Sequence, residues 1–312
     1  MTLFLNILQS VLPVIVMILL GYVCNKKQIF DDKGLAGLKA IIGNVCLPVV
    51  LFNAFYTATY SLTVIPVFII VYIGFGLAIL AGFLVRKWMA PYSRFVPFLV
   101  TSAEVGMLGY ALFSLIVGPD HLANLAMLDL GQTVFSYTVF ITVLRVAEGH
   151  KMSGKEVVLN MVTNKACIGM SLGIILGATG VRGLIEQTAV APIINDLISF
   201  ITAPTSGVIL LVVGYELSLQ PGILKPVLKT VFARFVIMAS LFGIVSFTVF
   251  HIIPFDKNML LAMLIIYSLP APFIIPIYAN VGDDGEYVST TLSVETLLTV
   301  ALFVGIVAYS MI

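Results

Sequence analysis

Long apolar stretches, separated by short clusters of charged residues, most limit how this chain can fold. Nine stretches carry at most one charged side chain each: residues 1–25, 40–85, 95–119, 122–144, 166–181, 187–215, 235–255, 258–282 and 287–312. A helix needs about 20 apolar residues to cross the hydrocarbon core of a bilayer, and only helices and closed barrels can span it. The alternating pattern of barrel strands is absent from the sequence. With 60% hydrophobic and 10% charged residues, the chain is expected to be an all-α membrane protein.

The apolar stretches predict ten membrane-spanning helices. Residues 40–85 are too long for one helix, and residues 56–66 in their middle are polar and contain a proline, so this run holds two helices. The ten spans are centred roughly on residues 14, 45, 75, 106, 134, 170, 205, 241, 269 and 300. The run 166–181 is short, so its helix is expected to begin near Asn160 or Met161 and to include Lys165.

Basic residues are distributed unevenly between the two sides of this arrangement. Of the 16 Lys and Arg residues, Arg182 and Lys257 fall in even-numbered loops and the rest in odd-numbered loops. The odd-numbered loops hold Lys26, Lys27, Lys33, Lys39, Arg86, Lys87, Arg94, Arg145, Lys151, Lys155, Lys165, Lys225, Lys229 and Arg234. Because basic loops stay in the cytoplasm during insertion, both termini are expected to face outward from the cell membrane.

Two sets of five spans suggest an internal duplication. The predicted repeats are residues 1–150 and 151–312, and five-span repeats must insert with opposite topology. Pro48 in span two and Pro204 in span seven lie 156 residues apart, at corresponding places. Inverted repeats are typical of secondary transporters, in which interrupted helices meet near the middle of the membrane and form the substrate site.

Spans four and nine have the composition of interrupted helices. Gly106 and Gly109 lie in the middle of span four, and each glycine weakens a helix by about 1 kcal/mol relative to alanine. Span nine contains Pro270, Pro272 and Pro276, which have no backbone N–H and cannot continue a helix. The two spans occupy corresponding positions in the two halves, which indicates a transport site there.

Three carboxylates, those of Glu104, Asp129 and Glu295, lie well inside predicted spans. An ionisable group at that depth costs on the order of 2.5–3.5 kcal/mol and is a functional candidate by default. Gln132 shares a helix face with Asp129 and is open to either a structural or a functional role. No Lys or Arg is expected at comparable depth to neutralise these carboxylates. Each carboxylate is expected to be protonated, to bind a cation or to face a wet cavity. Glu104, Asp129, Gln132 and Glu295 are therefore candidates for coupling transport to H⁺ or Na⁺.

Several short segments resemble the auxin efflux carrier family of membrane transporters, which includes bacterial permeases for carboxylates. They are residues 47–54, the glycine-rich middle of span four, residues 129–133, and the stretch from 269–271 through 289–293. The resemblance runs over essentially the whole chain. It implies an inverted-repeat fold with broken, crossing helices four and nine, elevator-like alternating access and a homodimer. It also places near the substrate Asn44, Pro48, Glu104, Gly106, Gly109, Pro270 and Pro272.

Two positions depart from the family pattern. Members commonly have an asparagine near the position of Glu104 and an apolar residue near that of Glu295. Acidic side chains repel an organic anion unless they are protonated or bound to a cation. A small organic acid, such as a mono- or dicarboxylate, is the first expectation for the substrate. The alternatives are a zwitterionic or cationic solute such as an amino acid, and a Na⁺-coupled carrier of the bile-acid-symporter kind.

Other classes of protein have less support. The sequence contains no hydrolase or metalloprotease motif, its three cysteines lack metal-ligand spacing, and no selectivity filter is legible. A signalling receptor would need a partner protein to transmit its signal. The net charge of +1 argues against nucleic acid as a partner. We expect a transporter rather than an enzyme, with no cofactor beyond the coupling ion and with a small solute and the lipid bilayer as partners.

Overall fold

The computed structural model describes residues 2–58, 60, 63–92, 94–118, 121–147, 149, 153–275, 279 and 281–311. Within these residues the secondary structure is helical, with no strand. In the part of the chain that the structure describes, seven helices are long and apolar enough to cross a membrane, and there are eight such spans if the bent pair Gly154–Thr163 and Lys165–Ala178 is taken as one. The expected class, a multi-pass helical membrane protein, is confirmed.

The N-terminal half of the chain contains helices α1 to α8. Their bounds are α1 Thr2–Lys26, α2 Asp32–Ile41, α3 Leu47–Tyr56, α4 Val64–Val85, α5 Val96–Leu99, α6 Tyr110–Val117, α7 Ala123–Phe135 and α8 Ile141–Ala147. Short π-helices at Ile42–Cys46, Val105–Gly109 and Ser136–Phe140 lead into α3, α6 and α8. Segments of this kind are frequent at functional sites.

The C-terminal half contains helices α9 to α16. Their bounds are α9 Gly154–Thr163, α10 Lys165–Ala178, α11 Val181–Glu186, α12 Ala191–Thr202, α13 Thr205–Tyr215, α14 Leu224–Ile252, α15 Lys257–Ser268 and α16 Gly285–Ser310. Side-chain caps fix two of the starts. Asn164 accepts the N–H of Cys167 at α10, and Asp256 accepts the N–H of Met259 at α15.

Each predicted span centre falls on or beside an apolar helix, but two of these helices are short. In predicted spans four and nine, the apolar helices Val105–Val117 and Lys257–Ser268 are shorter than the seven candidate spans. At 1.5 Å per residue they measure about 20 and 18 Å, against a hydrocarbon core of about 30 Å. They do not qualify as single spans by length, so the count of ten stays a prediction.

The chain divides into two compact units, each assembled from separate stretches. Unit one comprises Met1–Leu62, Gly106–Ala126 and Leu159–Glu216, and unit two comprises Thr63–Val105, Met127–Val158 and Leu217–Ile312. Each unit draws helices from both predicted repeats. A sequence duplication and a compact unit are different properties, and the halves 1–150 and 151–312 therefore remain a prediction.

Unit one is held together by helix pairs that pack backbone against backbone. In it α1 packs against α13, and α3 packs against α10. A Cβ atom at Gly21 would lie 2.0 Å from the carbonyl oxygen of Leu211, and one at Gly169 would lie 2.2 Å from that of Pro48. Only glycine fits at these distances, as in the small-residue interfaces of membrane helices. Pro48 is therefore part of a packing contact in this unit.

Unit two is built around α14, which packs against α4, α15 and α16. This helix begins at Leu224, so Arg234 lies well inside it and is 4% exposed. The prediction that Arg234 lies in a cytoplasmic loop is wrong. The error arose because the sequence was divided at its charged residues, which assigns every base to a loop.

Candidate functional site

Predicted span four is interrupted at residues 100–104, here called the first break. α5 ends at Leu99, and the chain is helical again from Val105. Between them Ser102 has a φ of +61°, in the left-handed region that costs a residue with a Cβ roughly 1–2 kcal/mol. Its hydroxyl lies 2.7 Å from Ser136 Oγ and accepts from Gln132 Nε2 at 2.7 Å. These side-chain bonds hold the strained conformation.

Predicted span nine is interrupted at residues 269–272, the second break. α15 ends at Ser268, and Leu269 has extended backbone. Pro270 and Pro272 have no N–H with which to continue the helix. The helix therefore ends where these two prolines predict. Pro276, the third proline of the predicted interruption, lies outside the described residues.

The two breaks are bonded to each other. Glu104 N–H donates to the carbonyl oxygen of Pro270 at 3.0 Å. In return, Phe273 N–H donates to Glu104 Oε2 at 2.6 Å. Glu104 is 8% exposed, and a hydrogen bond from a backbone N–H to a buried carboxylate is among the stronger kinds. The two breaks are thus joined by hydrogen bonds inside unit two.

Arg234 binds backbone carbonyls at both breaks. Its Nη1 donates to Leu99 at 2.9 Å and to Thr101 at 3.4 Å. Its Nη2 donates to Ser102 at 2.7 Å and to Leu269 at 2.8 Å. An interrupted helix leaves its last carbonyls without intrahelical partners. One guanidinium supplies partners for carbonyls at the ends of two interrupted helices.

Glu295 of α16 completes this cluster from the other side. Its Oε2 accepts the N–H of Ala271 at 2.8 Å and lies 3.6 Å from Nε of Arg234. Its Oε1 has no hydrogen-bond partner among the described residues. A cavity of ≈ 20 Å³ beside the ion pair is lined by Tyr267 and Ser268, among others, and that volume is enough for about one water molecule. The expectation that no base neutralises Glu295 is wrong.

Gln132 of α7 binds the first break much as Glu295 binds the second. Its Nε2 donates to the carbonyl oxygen of Ala103 at 2.8 Å as well as to Ser102. Asp129 is 2% exposed and accepts the hydroxyl of Thr133 at 2.9 Å. The face predicted for Asp129 and Gln132 is therefore buried in unit two, and Gln132 reaches the break itself.

Charge and helix polarity match around the breaks. The carboxyl end of a helix carries partial negative charge, and the amino end carries partial positive charge. The cationic Arg234 binds the carbonyls where α5 and α15 end. The anionic Glu104 and Glu295 accept N–H groups of Phe273 and Ala271 beyond the second helix end. Arg234 and Glu295 form an ion pair, and both carboxylates accept backbone N–H groups.

The structure separates the predicted site residues into two groups. Unit two contains Glu104, Asp129, Gln132, Pro270, Pro272 and Glu295, and unit one contains Asn44, Pro48, Gly106 and Gly109. Within unit two, Gln132 and Glu295 bind the two breaks, and Glu104 and Pro270 are joined across them. In unit one, Asn44 is exposed and its amide donates to the carbonyl oxygen of Ala40 at 2.8 Å. Gly106 and Gly109 lie in the π-helix after Glu104.

Sequence reasoning missed Arg234, although a signal for it exists. The buried residues of α14 include Val227, Thr230, Val231, Arg234, Met238 and Leu241. Their spacing of three and four residues is that of one buried helix face. Reading helical periodicity through the charged residues, instead of stopping at them, places Arg234 on that face. Ser102 was also missed, and no local signal marks its left-handed backbone.

Comparison with protein families gives a match over nearly the whole chain. A family described as membrane transport protein, of the auxin efflux carrier type, matches residues 6–307. No curated protein matches the chain. The match covers nearly all of the sequence, including both breaks and every residue that binds them.

Proposed function

This chain belongs to the auxin efflux carrier-type family of membrane transport proteins, and we propose that it is a secondary active transporter of a small organic solute. The observation that carries the proposal is the pair of interrupted helices bonded to each other through Glu104, Pro270 and Phe273. Discontinuous helices that meet are the usual substrate and ion sites of secondary transporters, because their free backbone groups bind polar ligands in an apolar surrounding.

The proposed architecture is ten spans in two inverted repeats. Under such a repeat, spans one and two correspond to spans six and seven. Span one (α1) packs against span seven (α13). The repeat relates this pair to span six (α10) and span two (α3), which also pack closely within unit one. Gln132 of span five and Glu295 of span ten likewise bind the breaks of spans four and nine. These matched relations support the duplication.

Elevator-like alternating access is the proposed mechanism. Among the described residues, the hydrogen bonds given above between the two breaks, Arg234 and Glu295 lie within unit two. A movement of that unit as one body would carry the site without breaking these bonds. Both termini are proposed to face outward from the cell membrane, and a homodimer is proposed from the family alone.

The charge of the substrate depends on Glu104. A small organic acid such as a mono- or dicarboxylate is the proposed substrate class, with Glu104 protonated or cation-bound during transport. A zwitterionic or cationic solute such as an amino acid is the second candidate, because the Glu104 carboxylate already accepts the Phe273 N–H that would otherwise suit an anionic ligand. Coupling to H⁺ or Na⁺ completes the proposal.

A ligand-dependent unfolding screen of the purified full chain tests this proposal. The panel contains mono- and dicarboxylates, amino acids and amines, and a ligand that binds the folded state raises the unfolding midpoint. A carboxylate that stabilises the protein and undergoes saturable counterflow in proteoliposomes supports the first candidate. An amine or amino acid with that behaviour supports the second. Conductance without saturation would contradict a carrier.

Glu104→Asn tests whether Glu104 selects the solute. We expect it to change binding of the identified solute at least about tenfold, which is about 1.4 kcal/mol, because it removes a carboxylate at the meeting point of the breaks. Glu186→Gln is the matched control, since Glu186 is exposed and pairs with Arg182 in unit one. Unchanged affinity and selectivity in Glu104→Asn would remove Glu104 from the site.

A further inference from the structure

Arg234 occupies backbone groups that other secondary transporters use to bind a metal cation. Unwound carbonyls and the carboxyl ends of half-helices typically coordinate Na⁺ in such proteins, because an alkali cation replaces its water shell with several oxygen atoms. In this chain four such oxygens, those of Leu99, Thr101, Ser102 and Leu269, accept hydrogen bonds from one guanidinium.

Four hydrogen bonds and one ion-pair contact hold the guanidinium in place. An arginine has five N–H donors in a planar fork. The two Nη atoms serve the four carbonyls, and Nε lies 3.6 Å from the Glu295 carboxylate. Arg234 is 4% exposed and Glu295 is 2% exposed. The positive charge is therefore fixed between the breaks, and its counter-charge lies within the same unit.

We propose that Arg234 is a built-in cation that takes the place of a coupling Na⁺ at the two breaks, so that this protein does not depend on Na⁺. The inference rests on the proposed function, because it concerns the coupling ion of the same site. A sodium ion at these oxygens would displace the guanidinium hydrogen bonds and would lie beside a positive charge in a medium of low dielectric constant. This leaves H⁺ as the proposed coupling ion.

The wild-type protein provides the first test. The unfolding midpoint of the purified full chain is measured in NaCl and in N-methyl-D-glucamine chloride at equal ionic strength. The expected result is the same midpoint in both salts. A sodium-specific rise would overturn the proposal, because a cation that binds only the folded state raises its apparent stability.

Removing the side chain provides the second test. Arg234→Ala is expected to lower the midpoint, because four buried carbonyls lose their donor. Millimolar guanidinium chloride or NaCl is then expected to raise the variant's midpoint by at least about 2 °C over N-methyl-D-glucamine chloride. Lys229→Ala, which removes an exposed base from the same helix, should show neither effect. An Arg234→Ala protein as stable as wild type, or one indifferent to both cations, would overturn the proposal.

A conservative variant covers the case in which Arg234→Ala does not fold. Arg234→Lys keeps the charge but not the planar fork, so it is expected to fold with a lower midpoint and to remain indifferent to sodium. Sodium-dependent stability in Arg234→Lys would contradict the role of the charge, and the wild-type comparison decides the matter if neither variant folds. These readouts need no substrate. Failure to find a transported solute counts against the proposed function, whereas sodium stabilisation counts against this inference.

Discussion

At the scale of single residues, the arrangement of Arg234 and Glu295 follows from the cost of burying charge. An isolated ion in an apolar surrounding is strongly unfavourable, so buried charges occur paired and hydrogen-bonded. Arg234 has four carbonyl partners and a carboxylate at 3.6 Å. Glu295 has one backbone donor and the same ion-pair contact. Each charge stabilises the position of the other, so the two should be strongly coupled in stability.

A double-mutant cycle on Arg234→Leu and Glu295→Leu measures this coupling. Each single variant is expected to lose about 3–5 kcal/mol of unfolding free energy, because it leaves one buried charge without its partner. The double variant should lose clearly less than the sum of the two, since no lone charge remains. The measurement is unfolding of the purified protein by a graded denaturant.

The exposed pair of Arg182 and Glu186 is the control cycle. Its side chains are 35% and 49% exposed and lie one helical turn apart. Coupling of about 0.3–0.5 kcal/mol is expected there. Additive losses at Arg234 and Glu295 would show that the pair contributes no more than a surface contact.

At the scale of helices, the close packing within unit one depends on glycines that face a neighbouring backbone. Gly214 illustrates this, because a Cβ there would lie 2.0 Å from the carbonyl oxygen of Ile18. The same relation holds for Gly169 and Pro48 in the pair α10 and α3. Between helices in lipid, van der Waals contact replaces the hydrophobic effect as the main attraction. The side-chain size at these positions should therefore control the stability of the pair.

Gly169→Ala tests that control. The added methyl group would overlap the Pro48 carbonyl, so we expect a loss of about 1–3 kcal/mol as the helices move apart. Gly243→Ala in α14 is the matched control, because nothing lies within 4 Å of its Cβ position. It should be neutral or raise stability by up to about 1 kcal/mol through helix propensity. Equal effects at the two positions, measured by thermal unfolding, would refute close packing at Gly169.

At the scale of the whole molecule, membrane topology is the property that the sequence predicts most directly. The bias of Lys and Arg towards odd-numbered loops predicts that both termini face outward. Moving Arg234 from a loop into α14 leaves that bias intact, because the remaining bases still favour the same side by a wide margin. The predicted orientation therefore does not depend on whether Arg234 lies in a loop or in α14.

Cysteine labelling tests the topology. Cys24, Cys46 and Cys167 are free thiols and are first replaced by alanine. A membrane-impermeant maleimide is expected to label Gln187→Cys in intact cells and Lys27→Cys only after permeabilisation, because these exposed positions follow predicted spans six and one. Labelling of Lys27→Cys in intact cells, with Gln187→Cys protected, would reverse the orientation.

The sequence by itself determined the properties that depend on short windows of the chain. Apolar runs specify helices in lipid, Pro270 and Pro272 end α15, and the buried face of Asp129 and Gln132 follows from helical spacing. These outcomes reflect transfer free energies and backbone preferences, which neighbouring residues set.

Only the tertiary structure decided which distant groups meet. Arg234 and Leu99 are 135 residues apart in the chain, and Phe273 and Glu104 are 169 apart. Tertiary structure also put Asn44 and Glu104 in different compact units. The partner of a buried charge depends on which helices pack together, and the composition of a short stretch of sequence does not specify that packing.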